Sequence, residues 1–163
     1  MSHKPQISDM VVVPLWTRAR AEKATPYFAS MLRSLRDSVL EAKQHSLAAE
    51  RLAHRRGRPS RKARIAQGEA LRDACRARDV VHDSIQELES LGMHCLDALR
   101  GEALVPFIQK DQLAWFFYDL FAERPICHWR FHTDPPEARR PIDEIPPNGE
   151  PRSSATGNSA SAA

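Results

Sequence analysis

Two runs of apolar side chains at helical spacing, parted by a break at Gly57 and Pro59, restrict this 163-residue chain more than any other feature. From Tyr27 onward, Phe28, Met31, Leu32, Leu35, Val39, Ala42, Ala49 and Ala53 recur three, four and seven apart, an apolar stripe along one long helix. Thr17, after Trp16, suits an N-cap. Thr25-Pro26 reads as a second cap with proline at the first helical position, so a kink or restart is expected there. A second helix is expected from about Ser60 to Leu91, with Leu71, Ala74, Val81, Ile85 and Leu88 as its stripe and Gly92 as its left-handed cap. So short a break predicts an antiparallel hairpin. Near the break the stripe is small (Ala49, Ala53, Ala63, Ala66, Ala70), and at the far ends it is bulky (Phe28, Leu32, Leu88, Leu91). The hairpin should be thin at its tip and well packed at its base.

After Gly92 the period shortens. Ala103–Ile108 is a strand candidate in which Pro106 suits an edge position. Gln109-Lys110-Asp111-Gln112 reads as a polar turn. Leu113–Tyr118 is apolar on both faces, as a strand covered on both sides would be. From Ile126 to His132 the chain alternates, with Cys127, Trp129 and Phe131 on one face and Ile126, His128, Arg130 and His132 on the other. These strands make a small three-stranded antiparallel sheet packed on the base of the hairpin, and the class is α+β. The predicted domain runs from 10 to 143, with the hairpin at 17–92 and the sheet at 93–133. Residues 1–9 and 144–163 are too poor in apolar side chains to offset ordering entropy and are read as disordered tails.

Several of these residues resemble an uncharacterised, mainly bacterial family catalogued as domain of unknown function 2203. The likeness spans roughly 16–142. Thr17, Ala21 and Pro26 are similar to the family's opening helix. Leu91-Gly92, Asp97 and Arg100-Gly101 resemble its turn from helix to sheet. Trp129, Arg139, Pro141 and Ile142 resemble its last strand and the segment after that strand. The chain departs where the family has Asp-Phe-Pro in the first strand, here Val105-Pro106-Phe107, and Cys-Trp in the next, here Phe116-Phe117. The resemblance implies a fold and carries no activity.

Charge is concentrated in one place. Residues 51–64 hold Arg51, Arg55, Arg56, Arg58, Arg61, Lys62 and Arg64 with no acid. The whole chain has 24 Lys/Arg and 21 Asp/Glu, so without these seven the count is 17 against 21 and the formal charge falls from +3 to −4. Arg56-Gly57-Arg58-Pro59 resembles the core of an AT-hook, which lays Arg-Gly-Arg into the minor groove of A·T-rich DNA, and the flanking cations suit phosphates. The plainer alternative is a solvated turn, kept soluble by its arginines.

Other chemistry is weaker. His128 and His132 lie about 13 Å apart on a strand, too far for one ion, so a metal site would need His94 and Cys95 brought to Cys127 and His128. Both cysteines read more simply as small hydrophobes. Asp119, Glu123, His128 and His132 offer acids and bases without a nucleophile motif or phosphate loop, and Asp97 and Asp111 read as turn residues. No catalytic residue, metal or cofactor is assigned. Three cysteines without C-x-x-C spacing suit a reducing cytosol, and Met10–Val13, broken by Pro14, is too short to span a membrane; a soluble cytoplasmic protein is expected. The run Trp115-Phe116-Phe117-Tyr118 needs a cover: the proline-rich stretch 134–145, a second copy, or a protein partner. The expected role is a non-enzymatic interaction module, self-associating through the sheet face or the hairpin base. The alternative is nucleic-acid binding at the basic tip, and a more distant one is an enzyme or metal site near His128.

Overall fold

The computed structural model describes residues 13–54 and 56–146. Arg55, the N-terminal segment and most of the C-terminal tail expectation lie outside them. Helix α1 spans Arg18–Ala53 and α2 spans Arg61–Ser90, about 54 and 45 Å long at 1.5 Å per residue. Thr17 and Ser60 cap them, their hydroxyls accepting from the amides of Arg20 and Ala63. α2 ends in a Schellman motif. The Met93 amide donates to the Leu88 carbonyl and the Gly92 amide to that of Glu89, while Gly92 sits at φ +79°. The expected restart at Pro26 does not occur: α1 runs through it as one helix. A proline there removes one backbone bond, and packing of Phe28, Leu32 and Leu35 into the core holds the helix across the gap.

The sheet has five strands where three were expected: β1 His94–Asp97, β2 Glu102–Gln109, β3 Gln112–Asp119, β4 Ile126–Phe131 and β5 Arg140–Pro141. They form an antiparallel meander in chain order. The two extra strands are edges of four and two residues, too short to show a period. Lys110 and Asp111, at φ 50° and 59°, make the two-residue turn between β2 and β3. Pro106 is tolerated because its carbonyl accepts from the Trp16 amide, so its backbone edge faces away from β3 and no ladder bond is missed.

One core joins the layers. Ala21, Phe28, Leu32 and Leu35 of α1 and Leu88 of α2 meet Val105, Phe107, Phe116, Tyr118, Ile126 and Trp129 of the sheet. Ile145, counted with the tail on composition, is buried here too, and Arg18 holds this end by donating to the carbonyls of Ile142 and Ile145. The assignment of Ile126 to the outer face is corrected. A bulge at Cys127 sets Ile126 opposite Tyr118 and His128 opposite Phe117, so Ile126 turns inward beside Trp129. Leu71, expected in the stripe, is exposed, because the pair closes on Ala74 and Ala77 instead.

The thin tip is observed. Arg36 is the farthest residue along α1 to bond the sheet's loops among the described residues, donating to the Leu99 carbonyl. Beyond it the buried residues of the two helices are alanines: Ala42, Ala49, Ala74 and Ala77. From Asp37 to Ala53 the hairpin is an arm about 25 Å long. No helix among the described residues is long and apolar enough to cross a membrane.

Candidate nucleic-acid interface and outer sheet face

At the end of the arm α1 closes on His54, whose amide donates to the Glu50 carbonyl; Gly57, at φ +99°, turns the chain, and Pro59 leads into the Ser60 cap. Arg51, Arg56, Arg58, Arg61, Lys62 and Arg64 are all exposed. The ion pairs among the described residues involve none of them. Arg51, in the last turn of α1, complements the negative end of that helix dipole. Arg61, Lys62 and Arg64 do the opposite. They crowd the positive N-terminal end of α2, whose first turn has no acid. Their cost to the helix is removed when an anion sits among them and the free amides.

The tip does not hold Arg56 and Arg58 on one extended run, because Gly57 turns the backbone between them. Helices about 10 Å wide flank it on both sides, and a minor groove is about 6 Å wide. A hook lying on the groove floor does not fit that shape.

Of the four aromatic residues expected at an interface, two are corrected. Strand alternation sends Phe116 and Tyr118 into the core. Phe116 stacks on Phe107 with centroids 3.8 Å apart, and the Tyr118 hydroxyl donates to the Thr25 carbonyl. Burial pushes the Tyr118 phenol pKa up. Trp115 and Phe117 face outward and are half-buried. So β3 is covered fully on one face, not both; it is β2 that is buried on both.

The outer face has its own dressing. The Arg139 guanidinium lies 3.6 Å from the centroid of Phe117, with Arg130 on the same ring at 5.9 Å. Trp115 Nε1 donates to His132 Nδ1 at 3.0 Å. The proline-rich stretch does not fold over this face as a whole: it forms β5 beside β4, and Ile142 and Ile145 enter the core. Spacing carried no sign of the Arg139–Phe117 stack, since the two residues lie 22 positions apart and meet only through strand pairing.

The side chains weighed for the distant metal alternative are not brought together. Across the outer face the register runs His94, Leu104, Phe117, His128, which sets the histidines three strand spacings, about 14 Å, apart. Cys95 faces the core, where burial raises its thiol pKa, and Cys127 donates to the Arg124 carbonyl within the bulge. No group of three or more His, Cys, Asp or Glu side chains suited to a metal exists among the described residues. Asp97 and Asp119 accept from backbone amides two residues on, at 2.9 Å each, as turn residues do. Glu123 lines a shallow cleft of about 350 Å³ with Arg18, Glu22, Thr25 and Arg124, where no nucleophile is paired with a base.

No family model matches the chain, and neither a curated protein nor a solved structure matches it. Leu91-Gly92 ends α2, Asp97 and Gly101 shape the β1–β2 turn, and Trp129 fills the core.

Proposed function

We propose that this chain is a non-enzymatic interaction module that grips the phosphate backbone of a nucleic acid with the cationic end of its helical arm. The observation that carries the reading is the set of six exposed cations around the Gly57 turn without an ion pair among the described residues, three of them held against the dipole of α2. A folded arm that needed these charges only for solubility would place acids at that helix start. Self-association through the hairpin base is less favoured: Phe28, Leu32 and Leu88 are already packed inside the core.

The test is a titration of the full chain on A·T-rich and G·C-rich duplexes across a range of salt. Each neutralised phosphate contributes about −0.9 to the slope of log affinity against log salt, so six contacts give a slope near −5. Arg56→Ala/Arg58→Ala should weaken binding on both duplexes alike and flatten the slope by about 2 units. An unchanged slope in that variant would sink the proposal. Strong A·T preference would restore the minor-groove hook.

A further inference from the structure

The geometry points to a second contact surface, for unpaired nucleotides, on the outer face of the sheet. It stands independently of the arm. Trp115 and Phe117 project from the same side of β3, about 7 Å apart along the strand. Their cross-strand neighbours are Arg130 and His128 on β4, and Pro106 and Leu104 on β2, the latter two buried. Arg139 reaches over from β5's approach to stack on Phe117. The Arg130 Nε atom is shielded from solvent with no hydrogen-bond partner among the described residues. Asp134, whose backbone carbonyl accepts from Arg130, has its carboxylate bonded to Arg140 at 3.1 Å and shares its charge with Arg130, while the ion pairs among the described residues do not include Arg139.

Half-buried aromatic rings beside guanidinium groups suit one ligand chemistry best. Unstacked bases lie on aromatic rings and on arginine planes, while their phosphates take the cations. A duplex cannot stack its bases on this face, because they are already stacked on one another, and is left with phosphate contacts alone. A second copy of the chain fits poorly as well. A two-fold contact would set this patch, with Arg130 and Arg139, against itself, and like charges placed opposite are unfavourable.

The experiment uses the full chain with a fluorescein-labelled dT12 single strand and, as control, a 12-base-pair duplex. Expected is dT12 binding that quenches tryptophan emission, with the quench much reduced in Trp115→Phe. Arg139→Ala and Phe117→Leu should each weaken dT12 binding fivefold or more while duplex binding changes less than twofold. Arg139 is exposed and Phe117→Leu keeps apolar volume, and the thermal midpoint of each variant checks the fold. The Arg56→Ala/Arg58→Ala variant should retain dT12 binding whether or not the duplex proposal holds. The inference is overturned if dT12 does not bind, if both sheet variants bind it as wild type does, or if its binding disappears in the tip variant alone.

Discussion

Gly92 shows how much a single residue carries at the joint between helix and sheet. Its φ of +79° is a conformation that L side chains rarely adopt, and a Cβ there would stand 2.6 Å from the Pro14 carbonyl oxygen. Gly92→Ala should therefore cost about 2–3 kcal/mol, read as a lower urea midpoint with an unchanged slope. The need for glycine was legible in the sequence as a helix stop. The close approach of Pro14 was not, since it depends on the chain returning from 78 residues away. Asp134 is a second such case. The Arg140 guanidinium and the Phe131 amide bond its carboxylate and hold its pKa below the ordinary 3.8. A depressed aspartate pKa adds stability that is present above 3.8 and lost as pH falls through the folded value. The drop in urea midpoint from pH 6 to pH 3 should shrink in Asp134→Asn; an equal drop would mean that the pair contributes nothing.

Elements obey their own patterns until a neighbour overrides them. Pro26 argued for a kink or a helix start, yet α1 continues through it as one helix, with Phe28, Leu32 and Leu35 beyond it packed in the core. Replacing it should show what the proline costs the helix: Pro26→Ala is expected to stabilise the protein by about 1–3 kcal/mol, seen as a raised thermal midpoint. The β2–β3 turn is similar in kind. Both central residues sit at positive φ without a glycine. Asp111→Gly should raise stability by about 0.5–1 kcal/mol in a urea titration, and a loss would show that the aspartate side chain makes a compensating local bond. Strand β4 was the least legible element. Its alternation reads cleanly, but the bulge at Cys127 shifts the phase, and a bulge answers to the partner strand rather than to the residues that form it.

At the scale of the whole molecule the buried side chains are unevenly placed. Large ones gather between the sheet and the lower half of the hairpin, and the arm closes on alanines. Opening free energy follows buried apolar contact, so native-state hydrogen exchange should grade along the hairpin. Amides near Val105 and Phe116 should exchange only on global unfolding, and those of 46–53 and 61–70 about a hundredfold faster or more. Uniform protection along α1 would overturn this picture. The same gradient sets the cationic end apart from the core, so its charges can be altered at little cost to folding.

The hairpin, its cap at Thr17, the start of its second helix near Ser60, its end at Gly92 and the three long strands follow from local sequence alone. Helix periodicity, capping hydroxyls and strand alternation act within a few residues of themselves. The clustering of the cations at one solvent-exposed end follows too, once the break at Gly57 is recognised. Tertiary structure decided the rest. Which of Trp115, Phe116, Phe117 and Tyr118 are buried depended on the face that α1 covers. The edge strands β1 and β5 exist only because a neighbour supplies their hydrogen bonds. The stack of Arg139 on Phe117 and the failure of His94 to meet His128 both come from register, which is set between strands and is not written in either one.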